Sequence, residues 1–236
     1  MTAAPARWVA LVGPPAAGKS TLAASLHTVA GGQIFRLRDF AIRCRASGWI
    51  HNELFSSRDE LGWFGDDTVT GLLDAAVHHR FLDAPLMVFE NFPGSDHQLR
   101  VLYRAAGRCS ADLLLLGVGL DADDQVLSRR RAGRRVCLSC EPDPLGEAHR
   151  SAVSAPGHPD RCAVCDGPLR RRRTDQLRVF DARVQRFRRR VGSILSAARD
   201  LDLPVRQIDA DADVAVCRDA ALTALHEFGG ADALLR

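Results

Sequence analysis

The chain has 236 residues, of which 46% are hydrophobic and 26% charged, a balance typical of a globular α/β protein with one domain and inserted segments. No apolar run approaches the ~18 residues that a membrane span requires, and the apolar residues 8–12 run directly into Gly-Pro-Pro, which argues against a signal peptide. The formal net charge of +3 favours neither a nucleic acid nor a membrane surface as partner, and we expect a cytoplasmic protein.

Five β-rich runs alternate with helical patterns, which is typical of a parallel sheet covered by helices on both faces. The predicted strands are residues 8–12, 33–37, 86–90, 112–118 and 205–209. The predicted helices are residues 20–29, 67–82, 96–106, 123–131, 178–201 and 213–228. Two segments interrupt this alternation: residues 38–66 form a short helical excursion, and residues 134–169 are rich in Cys, Pro, Gly and His. The second segment cannot build its own hydrophobic core, so it requires a covalent or metal staple.

A phosphate-binding loop follows the first predicted strand. Residues 13–20 read Gly-Pro-Pro-Ala-Ala-Gly-Lys-Ser, which matches G-x-x-x-x-G-K-[ST] and opens the first predicted helix. In such a loop, backbone N–H groups surround the phosphates, the lysine reaches the terminal phosphates and the Ser20 hydroxyl can hold Mg²⁺. Lys19 is the only lysine of the chain. The residues predicted to bind ATP here are Gly13, Ala16, Ala17, Gly18, Lys19, Ser20 and Thr21.

Four of the seven cysteines form two Cys-x-x-Cys pairs, with 21 residues between the pairs. Two such pairs at this distance predict a tetrahedral site in which Cys137, Cys140, Cys162 and Cys165 bind zinc. Four thiolates leave no open coordination position, so the predicted zinc is structural, with a redox dithiol pair as the alternative. The remaining three cysteines are interpreted as small hydrophobic residues.

With a phosphate loop near the N-terminus and a four-cysteine insert past the middle, the chain resembles the adenylate kinase family in its zinc-lid form. The resemblance covers residues 8–228 and includes residues 90–95 (Glu-Asn-Phe-Pro-Gly-Ser), 130–137 and 172–183. It implies a P-loop NTPase fold with a five-stranded parallel core of residues 1–37, 67–133 and 170–236. It further implies an insert at residues 38–66 that binds the phosphoryl acceptor, and a zinc-bound lid over ATP at residues 134–169.

The resemblance also implies a set of catalytic cations, namely Lys19, Arg130, Arg134, Arg172 and Arg183. In the family, the arginines that match Arg130 and Arg134 hold the ATP phosphates, and those that match Arg172 and Arg183 clamp the transferring phosphates. Phosphoryl transfer depends on such cations because negative charge spreads over the equatorial oxygens. Glu90 stands where the family has an aspartate that orients the hydration shell of Mg²⁺.

On the acceptor side the chain departs from the family. Gly94 and Ile42 replace two arginines, although Gln98 matches the glutamine that reads the adenine edge. The predicted acceptor residues are Arg36, Arg38, Asp39, Arg43, Gln98, Arg172 and Arg183. If the change at Gly94 redirects the acceptor, Gly94→Arg should raise activity with AMP.

These residues predict a phosphotransferase that moves the γ-phosphoryl of Mg·ATP to a nucleoside monophosphate, AMP or an AMP-like nucleotide. The alternatives are a kinase for a modified nucleotide or another phosphorylated or phosphonate metabolite, and a non-catalytic ATP-binding regulator. A nucleic-acid surface on the arginines of residues 183–190 is disfavoured because acidic residues nearly balance the basic ones and aromatic residues are only 6%. The basic run at residues 186–190 is therefore interpreted as a solvated helix face, and the expected partners are ATP and the acceptor, with the protein a monomer.

Overall fold

A computed structural model describes residues 5–51, 53, 63–141, 148 and 150–229. Parts of both predicted inserts, residues 52 and 54–62 and residues 142–147 and 149, lie outside the described residues. In chain order the elements are β1 (Ala6–Val12), α1 (Lys19–Ala30), β2 (Gln33–Phe35), α2 (Leu37–Ser47), α3 (Asp66–His78), β3 (Leu86–Glu90), α4 (Asp96–Arg108), β4 (Ala111–Val118), α5 (Asp124–Gly133), β5 (Val136–Cys137), β6 (Ser154–Ala155), β7 (His158–Cys162), β8 (Leu169–Arg170), a 3-10 turn (Arg173–Asp175), α6 (Leu177–Asp200), β9 (Val205–Ile208) and α7 (Val214–Gly229).

The centre of the molecule is a five-stranded sheet in the order β2-β3-β1-β4-β9, and every pair of neighbours is parallel. Successive residues of β1 alternate between two cores: Trp8 and Ala10 pack on one face of the sheet, Val9 and Leu11 on the other. Helices α2, α3 and α4 cover the first face, and α1 and α7 cover the second. This arrangement confirms the predicted α/β class and agrees with the P-loop NTPase fold.

The carboxyl ends of the parallel strands position the functional residues. The phosphate loop follows β1, Glu90 is the last residue of β3, and Val118 is the last residue of β4. Because parallel strands all end at the same edge, these segments meet at one crevice, where α/β proteins place their ligands.

Two predicted elements extend two residues or more beyond the observed ones. The predicted strand over residues 33–37 ends at Phe35, and α2 begins at Leu37, within two residues of the strand. Arg36 is extended and its carbonyl accepts the first bond of α2 from the N–H of Phe40, so the chain turns from sheet to helix here. The predicted helix over residues 67–82 spans Asp66–His78 and ends shortly before Arg80, which adopts a positive φ of 55°.

The segment of residues 134–169, called the lid segment below, carries two small antiparallel pairs, β5 with β8 and β6 with β7. These strands are two to five residues long, too short to leave a periodic pattern in the sequence. The longest helix, α6, has 24 residues but is rich in arginine, and within the described ranges no helix is apolar enough over a sufficient length to cross a bilayer.

Candidate functional site

The phosphate loop folds as its motif predicts, between β1 and α1. Gly18 has a φ of 96°, a conformation that glycine adopts without strain, and it caps the first turn of α1. Lys19 is buried, and its Nζ donates hydrogen bonds of 2.8 Å to the carbonyl oxygens of Gly13 and Pro14. Burial, and next the guanidinium of Arg183, lower the pKa of Lys19 to about 7. The loop therefore presents an amine whose ammonium form gains strongly from a nearby anion.

The two residues predicted to hold Mg²⁺, Ser20 and Glu90, are in contact. The buried carboxylate of Glu90 accepts a hydrogen bond from the Ser20 hydroxyl through Oε1, and its Oε2 lies 2.7 Å from Nε of Arg36. A hydroxyl beside a carboxylate is the hard oxygen donor set that Mg²⁺ prefers. The residues present therefore fit the predicted ion.

Arg36 joins three carboxylates. Besides Glu90, its guanidinium approaches Asp39 at 3.9 Å and Glu141 of the lid segment at 3.6 Å. Burial by itself lowers the pKa of Arg36, but the charge and hydrogen bond of Glu90, together with the charges of Glu141 and Asp39, outweigh this effect and raise the net pKa above the ordinary value. Arg36 thus links the end of β3, the start of α2 and the lid segment, a role that its sequence position did not indicate.

Two cavities meet at the crevice. The first, called the loop cavity, is lined by the phosphate loop, Arg130 and Arg134. The second, called the insert cavity, is lined by Arg36, Arg38 and Gln98. Five residues line both cavities and form a neck between them: Pro15, Lys19, Asn91, Arg172 and Arg183. Three of the five neck residues carry basic side chains, so the wall shared by the two cavities is positive.

The charge in the neck is concentrated enough to perturb an arginine. Burial, and then the charges of Arg172 and Arg134, lower the pKa of Arg183 to about 10, so Arg183 stays protonated at neutral pH. Arg134 is held by both carboxylate oxygens of the buried Asp175, with Nε at 2.8 Å from Oδ2. Arg130 donates to the carbonyl of Ala210 and approaches the carboxylate of Asp211 at 3.2 Å.

In the wall of the insert cavity, Trp63 occupies the space beside Gly94. A Cβ on Gly94 would lie 2.3 Å from Cζ3 of Trp63, and the guanidinium carbon of Arg186 lies 4.3 Å from the centre of a Trp63 ring. The Gly94 N–H donates to Oε1 of the buried Gln98 at 2.7 Å. The site therefore has no room for a side chain at residue 94 in this arrangement, which counts against the expectation that Gly94→Arg alone raises activity with AMP.

Most sequence-predicted site residues line one of the two cavities, but two acceptor residues do not. Arg43 is exposed and lies 5.0 Å from the ring centre of Phe81, and the carboxylate of Asp39 approaches the guanidinium of Arg36 at 3.9 Å. The interpretation of residues 186–190 as a solvated face is wrong for Arg186 and Arg190, which line the insert cavity, and for Arg188, whose guanidinium donates to the carbonyls of Leu120 and Ala122. Arg186 and Arg190 follow Arg183 by three and seven residues, a spacing that places all three on one face of a helix. This spacing could have indicated that they line the same cavity.

The four predicted zinc ligands form one cluster in the lid segment. Their sulfur atoms all lie within 4.8 Å of one another, with Cys137 and Cys165 at 3.4 Å and Cys140 and Cys162 at 3.7 Å. Zinc–sulfur bonds of about 2.3 Å in a tetrahedron place sulfur atoms roughly 3.8 Å apart, so the cluster fits the predicted ion. All seven cysteines are free thiols, and the other three lie away from this cluster.

No protein-family model matches the chain, but several curated proteins do. The adenylate kinase of Symbiobacterium thermophilum is 27% identical over 225 residues, covering 88% of this chain and 97% of that protein. The adenylate kinase of Syntrophotalea carbinolica is 24% identical, with 91% of this chain and 96% of that protein covered, and that of Rhizorhabdus wittichii is 25% identical, with 88% and 94% covered. Matches that span most of both chains, together with the phosphate loop and the cysteine cluster, support the assignment of this chain to the adenylate kinase family of nucleoside monophosphate kinases.

Proposed function

We propose that the protein moves the γ-phosphoryl group of Mg·ATP to the phosphate of a nucleoside monophosphate or a closely related nucleotide. The observation that carries this proposal is the cationic neck, where Lys19, Arg172 and Arg183 line both cavities at once. A donor in the loop cavity and an acceptor in the insert cavity would bring their phosphates to opposite sides of the same three cations. Such a geometry suits a transfer between two bound phosphates.

In the loop cavity, the N-terminus of α1 and the backbone N–H groups of the phosphate loop bind the β- and γ-phosphates. Arg130 and Arg134 line this cavity next to the lid segment, where they can contact the same phosphates. Ser20 and Glu90 would hold Mg²⁺ and its hydration shell, and the ion would neutralise charge between the β- and γ-phosphates.

During transfer, negative charge spreads over the equatorial oxygens of the moving phosphoryl group, and Lys19, Arg172 and Arg183 compensate it from fixed positions. The attacking atom is a phosphate oxygen that is already ionised, so no general base is required. We assign residues 38–66 as the acceptor-binding insert and residues 134–169 as a lid over ATP, pinned by zinc on its four cysteines. Closure of both would exclude water and prevent hydrolysis of ATP. Because a single chain forms both cavities, we propose that the monomer is active.

A second candidate keeps this chemistry but uses a modified nucleotide as acceptor. The contact between Trp63 and Gly94 favours it, because the wall of the insert cavity differs there from the arrangement that the family resemblance implies. A non-catalytic ATP-binding regulator is less well supported, since a protein that only binds ATP has no need for cations that line both cavities.

The test is a product assay by chromatography with the zinc-loaded protein, Mg·ATP and each of AMP, CMP, UMP, GMP and dTMP. We expect a diphosphate product from AMP or another of these nucleotides. We also expect Lys19→Ala to reduce the rate by on the order of 10²–10³ or more, while Arg189→Ala, on the exposed side of α6, serves as matched control and keeps the wild-type rate. Tight ATP binding without any product from all five acceptors would contradict the proposal for nucleoside monophosphates and favour the second candidate or the regulator.

A further inference from the structure

The wall of the insert cavity outside the neck carries positively charged side chains. A neutral nucleoside bound there would not require them. Outside the neck, the described residues lining this cavity include four arginines and one carboxylate, that of Glu90. The four arginines are Arg36, Arg38, Arg186 and Arg190. Arg36 is paired with Glu90, Asp39 and Glu141, so the positive charge that this wall presents to a ligand comes chiefly from the other three arginines. Such a wall raises the local concentration and the affinity of anionic ligands.

Two of these arginines stand well beyond the neck. Arg186 and Arg190 follow Arg183 on α6 by three and seven residues, so all three lie on one face of the helix. A helix rises 1.5 Å per residue, which places Arg190 roughly 10 Å from Arg183 along the axis. If the acceptor phosphate reacts at the neck, Arg186 and Arg190 face the nucleoside part of the acceptor.

Arg186 is held in the cavity wall by its neighbours. Its guanidinium stacks on the indole of Trp63 at 4.3 Å, a cation–π geometry, and Trp63 in turn fits closely against Gly94. Because residue 94 has no side chain, the indole of Trp63 can pack against it, and the indole in turn positions the guanidinium of Arg186. Three residues from separate parts of the chain combine to fix one positive charge beside the nucleoside position.

Building on the proposed function, we infer that the acceptor carries a second anionic group on its nucleoside part, and that Arg186 and Arg190 bind this group. The group is a phosphate on the ribose or a carboxylate on the base, both of which accept charge-assisted hydrogen bonds from guanidinium. Trp63, Arg186 and Arg190 are then specificity-determining residues. They favour a nucleotide that carries a second anionic group over one whose only anionic group is its 5′-phosphate.

Calorimetric binding to matched nucleotide pairs tests this inference without any turnover. Each pair differs in one anionic group: AMP with adenosine 3′,5′-bisphosphate, AMP with adenosine 2′,5′-bisphosphate, and UMP with orotidine 5′-monophosphate. We expect the wild-type protein to bind the more anionic member of at least one pair about tenfold more tightly. The pair that shows this preference distinguishes a ribose phosphate from a base carboxylate.

The preference must also depend on the two arginines. We expect Arg186→Leu and Arg190→Leu each to reduce the affinity ratio of that pair severalfold or more, and Arg189→Leu, one residue away on the exposed side of α6, to keep it. Arg190→Leu tests the inference even if Arg186→Leu disturbs the Trp63 packing. Equal affinities within all three pairs, or a preference that survives in both variants, would overturn the inference.

The same measurements separate this inference from the proposed function. Preferential binding that depends on the arginines, together with no phosphoryl transfer to any of these nucleotides, supports the second anionic group and contradicts the kinase proposal. Rapid transfer to AMP, with equal affinities within every pair, supports the kinase proposal and overturns the second anionic group.

Discussion

Replacing Gly94 by alanine is expected to destabilise the protein, although alanine adds only one methyl group. The new Cβ would lie 2.3 Å from Cζ3 of Trp63, well inside the 3.5–4.0 Å at which carbon atoms pack. Either the indole or the backbone at residue 94 must therefore move by about 1 Å or more, and an indole that moves also weakens the stacking of Arg186. Overpacking of this kind costs about 1–3 kcal/mol in the free energy of unfolding, and the weakened stacking adds up to about 1 kcal/mol.

The measurement is urea unfolding of four proteins: wild type, Gly94→Ala, Trp63→Ala and the double variant. We expect Gly94→Ala to lower the free energy of unfolding by about 1–3 kcal/mol in the wild-type background and by less than about 0.5 kcal/mol when Trp63 is already alanine. The matched control is Gly192→Ala in the middle of α6, where a Cβ meets nothing within 4 Å. This substitution should stabilise the protein by about 0.5–1 kcal/mol, because alanine is the better helix former.

A Gly94→Ala protein as stable as the wild type, or the same loss with and without Trp63, would refute the reasoning. The result also decides how the acceptor site can be altered. We expect Gly94→Arg alone to lose stability without gaining activity with AMP, whereas the change combined with Trp63→Ala frees the space that an arginine needs.

Three further perturbations address the lid segment. Protein from cells grown with zinc should contain about one zinc ion per chain by atomic absorption. Removal of the zinc by a chelator should expose four additional thiols to Ellman's reagent. Protein that contains no zinc and whose thiols already react would contradict the site. Asp175→Asn breaks the largely buried ion pair with Arg134 and should lower the free energy of unfolding in urea by on the order of 3 kcal/mol. Mg·ATP should restore part of this loss. An unchanged urea midpoint would show that the pair does not stabilise the protein. Glu141→Gln removes the charge that pairs with Arg36 and Arg150, and it should speed amide hydrogen exchange in residues 134–141 up to about fivefold. Exchange in the central sheet is the internal control, and equal exchange in both proteins would mean that the charge of Glu141 does not restrain the lid segment.

The fold could be predicted from the sequence because its signals are local. Each central strand is apolar on both faces, and the phosphate loop and the two Cys-x-x-Cys pairs are contained in short, recognisable segments. The strands of the lid segment could not be predicted, since they are held by a metal site and two-residue pairings rather than by a hydrophobic pattern.

The acceptor side was harder to predict because its contacts join distant parts of the chain. Nothing local to Trp63, Gly94 or Arg186 indicates that the three meet, and only the packing of the described segment before α3 against α4 and α6 brings them together. Arg43 shows the converse error. It is predicted as an acceptor residue because it follows Ile42 by one residue, but its guanidinium lies over the ring of Phe81 and it lines neither cavity.

The position of Lys19 has a practical consequence for chemical labelling. With no second lysine anywhere in the chain, every reagent or enzyme that acylates an ε-amino group meets a single target, and that target is the phosphate loop. Its Nζ is buried and held by two carbonyl oxygens, so the rate of labelling should follow the opening and filling of the loop. A protease specific for lysine would likewise cut the unfolded chain once, after residue 19. The occupancy of one binding site can therefore be monitored without an engineered label, by measuring in a peptide mass spectrum the fraction of chains acylated at Lys19.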